Sequence, residues 1–396
     1  MSAVPTIDGS EIWTCAATCT RGLEEVLAAE LAGIGAAGAE VGRGVVRFGG
    51  GYAAIARANL WLRTAMRVLV ELAEGDATSR AALYDLAARV AWEEWVGPDR
   101  TVAVNAAGQA GAFPNTAFAA LVVKDALVDR LRNRLGWRPD VDRSDPDLRI
   151  WVHLAGDTAA VGVDSTGEPL SHRGYRPRGG PAPLAESLAA GVLLLAGYDG
   201  SQPLLDPMCG TGTIAIEAAM IATRSAPGRR RSFACERWSR HDATTFAELR
   251  SDALEALRPP PAAIVAGDID PRALAATRAN AGAAGVAGAV AVARADVRRL
   301  ESVPPGSLIV ANPPYGQRLG AGEDLRGLYR ELGEALRDQA RGSTAWLLVG
   351  DLGLIKAIPL RPDRRIVLFN GPIECRLVRY DIRAVQTPDV ATAATR

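Results

Sequence analysis

The chain of 396 residues is poor in histidine, cysteine and lysine, with three histidines, five cysteines and lysine only at Lys124 and Lys356. Cysteines without regular spacing argue against a disulfide framework and favour a reducing compartment, so we expect a cytoplasmic protein. Cys15 and Cys19 lie four positions apart, but no second cysteine pair accompanies them. We therefore expect no zinc or other metal site. Because lysine is so rare, any contact with phosphate groups falls to arginine.

Long apolar segments are also missing. The longest apolar stretch, at 188–196, has about half the length of a membrane-spanning helix, and residues 1–14 show neither the basic start nor the apolar run of a secretory signal. We therefore expect no membrane association. The composition, 48% hydrophobic and 23% charged, is typical of a folded protein, and the length predicts two or three domains. The formal net charge is zero, so the overall charge does not indicate a nucleic-acid partner.

Two local clusters of arginine are more informative than the overall charge. The first lies at 171–178 without an acidic residue, and the second lies at 224–240 with Glu236 as its single acid. Such clusters can bind phosphates on a neutral protein, and a solvated loop explains either cluster equally well. The candidate phosphate-binding residues are Arg173, Arg176, Arg229, Arg230 and Arg231.

The order of predicted helices and strands divides the chain into several parts. Residues 1–65 and 66–165 are predicted to form two α+β domains, the first of them ferredoxin-like, and the Gly-, Pro- and Arg-rich segment 166–183 is predicted to be a linker. From 184 to 385, apolar strands alternate with helices, which predicts a mostly parallel, doubly wound sheet. Asn370-Gly371 between two strand patterns predicts a final antiparallel hairpin. Residues 386–396 are predicted to be a disordered tail.

A glycine-containing turn follows the first strand of this predicted sheet, at Asp206-Pro-Met-Cys-Gly-Thr-Gly-Thr213. Glycines between a strand and a helix let a ligand approach the backbone and the free amide groups of the helix. The acid expected to bind a ribose, Asp268, comes about sixty positions later, whereas a dinucleotide fingerprint places its acid about twenty positions later. The spacing therefore disfavours NAD, as does the terminal hairpin, which is typical of class I methyltransferases. Asp270 before Pro271 is better explained as a helix N-cap.

The fourth predicted strand ends in Asn312-Pro-Pro-Tyr315. Two consecutive prolines remove two backbone donors and leave carbonyl oxygens as acceptors. The Asn312 side-chain oxygen and the Pro313 carbonyl could accept the hydrogens of a planar amino group and orient its nitrogen toward a methyl donor. Tyr315 could stack on the base that carries this amino group. A rigid turn without chemistry is the competing interpretation.

Several motifs together resemble the THUMP-containing class I RNA methyltransferases, most closely the bacterial 23S rRNA guanine-N2 methyltransferases. Two of these motifs are the catalytic segments 206–213 and 312–319. The others occur across the chain, at 17–24, 57–64, 123–129, 173–176 and 233–238. The sequence departs from the family pattern at Thr20-Arg21, where Pro-Lys is usual. The best-known relatives carry a second methyltransferase domain, so only the guanine-N2 half is expected here.

The resemblance implies a ferredoxin-like domain, a THUMP RNA-binding domain at 66–165 and a Rossmann-like catalytic domain that binds S-adenosylmethionine and releases S-adenosylhomocysteine. It implies that Asp206, Gly210 and Gly212 hold the methionine portion, Asp268 the ribose and Asp296 the adenine. The expected catalytic residues are Asn312, Pro313, Pro314 and Tyr315. The wider expected cofactor site also contains Met208, Cys209, Thr211, Thr213, Ile269, Asn312 and Pro183. The five arginines named above become candidate RNA-binding residues.

Several alternatives stay open. Methylation of guanine N2 in tRNA, or of adenine N6, would use the same planar-amino chemistry, and a non-catalytic RNA-binding assembly factor is a rival of another class. Direct in-line transfer needs no covalent intermediate, so no histidine or cysteine is expected to take part, and Cys209 and Cys375 are expected to be packing residues. The modified nucleotide, the kind of RNA and the choice between monomer and dimer are not indicated.

Overall fold

A computed structural model describes residues 12–109, 111–177, 184–315 and 324–383. The chain divides into two compact units, one formed by Met1–Arg173 with Ala226–Ala256 and the other by Gly174–Ser225 with Leu257–Arg396. The predicted tail at 386–396 lies outside the described residues, as does the end of the predicted linker, 178–183. Among the helices that the structure describes, none combines the length and apolarity needed to cross a membrane.

The first unit is built on one eight-stranded sheet with the order β2-β3-β1-β4-β8-β7-β5-β6. Its strands are β1 (Trp13–Cys19), β2 (Ala37–Gly42), β3 (Val45–Gly50), β4 (Ala65–Asp76), β5 (Thr101–Gln109), β6 (Asp140–Val141), β7 (Leu148–Ala155) and β8 (Thr158–Asp164). Its helices up to this point are α1 (Glu24–Gly33), α2 (Tyr52–Trp61), α3 (Arg80–Ala88) and α4 (Thr116–Leu135). Both predicted α+β domains therefore contribute strands to a single sheet.

Local sequence signals explain the ends of the longest helix, α4. The side chain of Asn115 accepts a hydrogen bond from the Phe118 amide at 2.8 Å and so caps its start. The helix ends at Gly136, which has a φ of 77°, a conformation that favours glycine.

The second unit contains a seven-stranded sheet with the order β11-β10-β9-β12-β13-β15-β14. From 184 onward the elements are α5 (Glu186–Leu195), β9 (Leu204–Asp206), α6 (Thr213–Ala222), α7 (Ala243–Glu255, in the first unit), β10 (Ile264–Asp268), α8 (Pro271–Ala284), β11 (Ala291–Arg294), β12 (Leu308–Ala311), α9 (Leu325–Gln339), β13 (Ser343–Val349), α10 (Leu352–Ile355), β14 (Arg364–Asn370) and β15 (Ile373–Ile382). Strands β9 to β13 pair in parallel, and β15 pairs antiparallel with both β13 and β14. The parallel sheet and its terminal hairpin are both as predicted.

Burial of this sheet follows from its apolar strands and helices. All four residues of β12 are buried, and so are all ten residues of α6, as expected for parallel strands covered on both faces. Asp270 caps α8 by accepting a hydrogen bond from the Arg272 amide at 2.9 Å, with Pro271 in the first turn. This arrangement confirms the N-cap interpretation of Asp270.

The segment Ala226–Ala256 interrupts the second unit in sequence but packs within the first. Trp238 lies edge-on to Trp95 with 5.2 Å between ring centroids, and Trp95 in turn contacts Trp13 at 5.5 Å. The Arg240 guanidinium lies 5.3 Å from the Trp95 centroid. Closer to α2, the Gly228 amide donates to the Leu60 carbonyl at 2.9 Å. The inserted segment is therefore part of the core of the first unit.

Candidate active site

The glycine turn between β9 and α6 is shaped by left-handed backbone at two positions. Gly210 has a φ of 53° and Gly212 a φ of 84°. A Cβ at Gly212 would lie 2.6 Å from the Thr277 side chain, whereas a Cβ at Gly210 would meet open space. Gly212 is thus required by close packing on α8, and the space beside Gly210 leaves its backbone open to a ligand.

Two polar residues on the buried face of α8 hold this turn. Thr277 Oγ1 donates to the Gly210 carbonyl at 2.9 Å, and Asn280 Nδ2 donates to the Thr211 carbonyl at 2.9 Å. Both side chains are buried. Sequence reasoning did not identify them, although polar residues three positions apart among the apolar positions of α8 were a usable signal.

Asp206, at the end of β9, is only 1% exposed. Its Oδ1 accepts a long hydrogen bond from the Met208 amide, at 3.3 Å. Burial, with a smaller contribution from the nearby Asp268 carboxylate, raises the pKa of Asp206 to about 8. A buried carboxylate with so little compensation suits a ligand that brings a positive charge.

Asp268, at the end of β10, also contacts the glycine turn between β9 and α6. Its Oδ2 accepts from the Gly210 amide at 2.9 Å and its Oδ1 accepts from the Asp270 amide at 2.9 Å. The following residue, Ile269, leaves half of its side chain exposed. A carboxylate oxygen can accept more than one hydrogen bond, so these contacts leave capacity for the hydroxyl groups of a ribose.

Asp296 follows β11, at the edge of the sheet where the parallel strands β9 and β10 also end. Its side chain accepts from the Arg298 amide at 3.0 Å and pairs with the Arg298 guanidinium at 2.7 Å. Hydrogen bonds from Arg298 lower the pKa of Asp296 and keep it charged. The structure thus brings Asp206, Asp268 and Asp296 to the carboxyl ends of three adjacent strands.

Asn312 directly follows β12, the neighbour of β9 in the sheet. Its Oδ1 is buried and has no hydrogen-bond partner among the described residues. A buried acceptor without a donor costs about 1–3 kcal/mol, so a ligand group that donates to this oxygen would be favoured. Pro313 is buried beside it and Pro314 is half-buried.

Tyr315 packs against the terminal hairpin of the second unit. Its side chain is 9% exposed, and its hydroxyl accepts a hydrogen bond from Asn370 Nδ2 at 3.0 Å. A Cβ at Gly350 would lie 2.3 Å from the Tyr315 ring, so the ring packs directly on that glycine. The Tyr315 side chain thereby joins the Asn312–Tyr315 segment to the terminal hairpin, and stacking of its ring on a base stays a prediction.

Arg176 is a contact within the second unit and not an exposed phosphate ligand. Its Nε donates to Glu186 Oε1 at 3.0 Å, and its Nη1 donates to the Leu184 carbonyl at 3.1 Å and to Thr213 Oγ1 at 3.2 Å. Glu186 is 4% exposed. The pair therefore joins the start of α5 to the first residue of α6, immediately after the glycine turn.

The other candidate arginines lie in the first unit. Arg173 is buried, and its guanidinium donates to the carbonyls of Leu170 and Arg63. Arg231 donates to the Pro169 carbonyl at 2.7 Å, and burial lowers its pKa to about 10. These contacts do not support the candidate RNA-binding role of Arg173 and Arg231, because main-chain carbonyl oxygens already accept hydrogen bonds from their guanidinium groups.

Arg229 and Arg230 differ from these. Arg229 is half-buried and Arg230 is exposed, so a phosphate contact is still a prediction for this pair. Pro183 of the expected cofactor site lies outside the described residues.

Cysteine chemistry finds no support in this region. Cys209 is buried in the glycine turn, and burial raises its pKa to about 12. Cys375 is buried in the terminal hairpin with a raised pKa. Both thiols are therefore uncharged near neutral pH, as expected of packing residues. Among the residues that the structure describes, no group of three or more His, Cys, Asp and Glu side chains is placed to hold a metal ion.

Comparison with known families matches three consecutive parts of the chain. Residues 14–69 match the RlmL ferredoxin-like domain, residues 77–164 the THUMP domain, and residues 173–379 the RMKL-like methyltransferase domain.

Among individual proteins, ribosomal RNA large subunit methyltransferase K/L of Methylococcus capsulatus is 41% identical over 381 residues, covering 92% of this chain and 51% of that protein. The chain spans about half the length of the curated relatives it matches. The crystal structure of SMU.472 in complex with SAH superposes with a TM-score of 0.87 at 28% identity, over 95% of this chain and all of that one. The crystal structure of a predicted N6-adenine-specific DNA methylase from Listeria monocytogenes superposes with a TM-score of 0.85 at 29% identity, over 94% of this chain and 97% of that one.

Proposed function

The chain belongs to the family of methyltransferases with an RMKL-like methyltransferase domain, and from that membership we propose that it transfers a methyl group from S-adenosylmethionine to N2 of a guanine in 23S ribosomal RNA. The membership also confirms the family resemblance and the predicted fold class, with ferredoxin-like and THUMP domains before a Rossmann-like catalytic domain.

The observation that carries the proposal is the buried Asn312 Oδ1 without a partner in the described part of the chain. It lies at the carboxyl end of β12, beside the strand that leads into the glycine turn. An exocyclic amino group could donate to this oxygen. The guanine N2 amino group is planar in the ground state, and two acceptors, Asn312 Oδ1 and the Pro313 carbonyl, would favour the pyramidal nitrogen that faces the methyl donor in the transition state. No charged side chain is needed for this step.

The cofactor fits the residues around the glycine turn. When bound, S-adenosylmethionine supplies an electrophilic methyl group on its sulfonium. Asp206 would face the ammonium of the methionine portion, which supplies the charge that this buried carboxylate lacks. Gly210 would allow close backbone approach, Asp268 would accept from the ribose hydroxyls, and Asp296 would accept from the adenine amino group.

The chain's own contribution to the reaction is orientation. Thr277 and Asn280 hold the glycine turn. Asn370 holds Tyr315, the last residue of the Asn312–Tyr315 segment. The nitrogen, the methyl group and the sulfur must lie in line for the transfer. Because the glycine turn and the Asn312–Tyr315 segment are held in place, the bound reactants lose less translational and rotational entropy on reaching this arrangement than free reactants would.

Methylation of transcripts followed by mass spectrometry of the nucleosides tests the proposal. The purified chain is incubated with a 23S rRNA transcript and, separately, with tRNA transcripts, and the expected product is N2-methylguanosine in the ribosomal transcript. N6-methyladenosine would contradict the guanine assignment, and N2-methylguanosine in tRNA alone would contradict the ribosomal one. Absence of S-adenosylmethionine binding in calorimetry would favour a non-catalytic assembly factor.

A second candidate, adenine-N6 methylation, is favoured by the same feature, because the adenine amino group is also planar and would suit Asn312. The name of the Listeria protein points to this chemistry. A transcript in which the modified guanine is replaced by adenine distinguishes the two reactions: transfer to that adenine supports the second candidate.

A further inference from the structure

One face of the sheet in the first unit carries large polar and aromatic side chains in place of a packed layer. Along β7, the residues Leu148, Ile150, Val152 and Leu154 are buried on one face. The alternate positions, Arg149, Trp151 and His153, point to the opposite face and are half-buried or exposed.

Trp151 lies flat against the neighbouring strand. It pairs with Gly162 of β8, and a Cβ at Gly162 would lie 2.8 Å from Trp151 Nε1 and 2.9 Å from Cε2. Only glycine leaves room for the indole there. Trp151 Nε1 has no hydrogen-bond partner among the described residues, so packing on the glycine holds the ring in place.

Around this ring lies a cavity of about 580 Å³, here called the sheet trough. Its lining includes the small residues Ala16, Ala107 and Ala160. Its sides carry Trp151, His153, Asn105 and four arginines. The volume is within the range of sites that hold a small organic group.

The four arginines of the sheet trough are not equivalent. Arg47 pairs with Glu71 at 3.1 Å, and Arg67 pairs with the buried Asp164. These two charges are compensated inside the protein.

Arg149 and Arg43 are placed to meet an external anion. Arg149 donates long hydrogen bonds to neutral oxygens, to Asn105 Oδ1 at 3.4 Å and to the Ser144 carbonyl at 3.3 Å, and its charge also acts on the nearby carboxylates of Asp142 and Asp164. Arg43 is exposed in the turn between β2 and β3 and lines the same cavity. The trough therefore has two arginines that can meet phosphate in the same lining as the aromatic ring of Trp151.

We propose that the sheet trough binds an unpaired nucleotide of the RNA substrate, with the base stacked on Trp151 and the adjoining phosphates held by Arg149 and Arg43. The inference rests on the proposed action on RNA. It assigns to this face a binding site separate from the Asn312 segment.

The occupant follows from the chemistry of the lining. Stacking of a base on an aromatic ring requires an unstacked base, which single-stranded loops and bulges provide and A-form duplexes do not. The arginines of the lining suit the phosphates of an RNA backbone and no feature of an apolar partner. The simpler explanation for Trp151, that it only covers Gly162, accounts for the ring but not for the arginines around it.

Binding of the full chain to a fluorescein-labelled, unstructured RNA oligonucleotide of about twelve nucleotides tests the proposal. Fluorescence anisotropy is measured for the unchanged chain and for Trp151→Ala, Trp151→Phe, Arg149→Gln and Arg43→Gln. Trp151→Ala is expected to weaken binding about 5- to 100-fold, while Trp151→Phe, which keeps a ring over Gly162, retains most of the affinity. Each arginine variant is expected to reduce the slope of log K against log salt by about 0.7.

Matched controls separate the trough from general effects. Trp137, half-buried after α4, and Arg80, exposed at the start of α3, do not line the cavity. Trp137→Ala and Arg80→Gln should leave RNA binding unchanged, and calorimetric S-adenosylmethionine binding should be equal in all variants. Affinity within twofold of the unchanged chain for folded Trp151→Ala, or unaltered salt slopes in both arginine variants, would overturn the proposal.

Failure of the site and failure of the proposed function give different results. If no methylated nucleoside forms but Trp151→Ala still weakens RNA binding, the trough stands and the reaction assignment fails. If methylation occurs and Trp151→Ala changes neither RNA binding nor the KM for RNA, the reaction stands and the trough fails.

Discussion

The Asp206→Asn substitution is expected to stabilise the folded protein at alkaline pH while weakening its hold on the cofactor. Burial raises the pKa of Asp206 to about 8 from an ordinary value of 3.8. Because the folded state binds this proton more tightly than the unfolded state, the stabilising contribution is complete below pH ~4 and is lost as the pH rises through 8. Asparagine has nearly the same shape as aspartic acid and cannot ionise, so the stability of the variant does not fall with this ionisation as the pH rises.

The expected size follows from the pKa difference. Between pH 5 and pH 8 the folded protein keeps a proton that the unfolded chain has released, over about three pH units. At about 1.4 kcal/mol per unit, the free energy of unfolding of the unchanged protein should fall by on the order of 4 kcal/mol relative to the variant. Other titrating groups are common to both proteins and cancel in the comparison.

Urea unfolding followed by circular dichroism, at pH 5 and at pH 8, measures this difference. Asp252→Asn, at an exposed position on α7, is the control and should follow the unchanged protein. Calorimetry in two buffers of different ionisation enthalpy adds an independent check. Binding of S-adenosylmethionine at pH 7 should release about 0.9 protons from the unchanged protein and almost none from Asp206→Asn. If both proteins lose stability equally between pH 5 and pH 8, the reasoning from burial is wrong.

Four further substitutions test the site. Asn312→Ala should leave the Kd for S-adenosylmethionine unchanged and lower kcat on the order of a hundredfold, since one oriented acceptor is lost; unchanged turnover in a single-turnover assay would contradict the mechanism. Asn370→Ala, which removes the donor to the Tyr315 hydroxyl, should lower kcat about 3- to 10-fold with little effect on cofactor affinity, and equal loss of both would indicate general damage. Gly212→Ala should cost about 2–4 kcal/mol in thermal unfolding, because its φ is left-handed and its Cβ would collide with α8, whereas Gly210→Ala should cost about 1 kcal/mol of backbone strain alone.

The sheet and its polar strand ends were predictable because they depend on short-range patterns. Apolar strands alternating with helices specify a parallel sheet, and the carboxyl ends of such strands meet at one edge, which brings Asp206, Asp268 and Asn312 to the same edge. The Asn370-Gly371 turn was likewise a local signal. No partner distant in sequence was needed for these predictions.

Tyr315 and Arg176 were not predictable in this way. The packing of Tyr315 depends on Gly350 and Asn370, which follow it by 35 and 55 positions, and no local pattern encodes that contact. A cluster of arginines looks the same in sequence whether its guanidinium groups meet water or, as in Arg173, buried carbonyl oxygens. Charge patterns give the composition of a segment, and only the fold determines which donors are already used.

The path of the inserted segment has a consequence for how the protein is made. Trp95 acquires its neighbour Trp238 only after more than a hundred further residues have been joined to the chain. During translation the N-terminal sheet therefore leaves the ribosome before part of its own core has been synthesised, and the start of the second unit emerges in between. The first unit therefore lacks part of its core until residues 174–256 have been synthesised, and a cut at any single peptide bond cannot release both units whole.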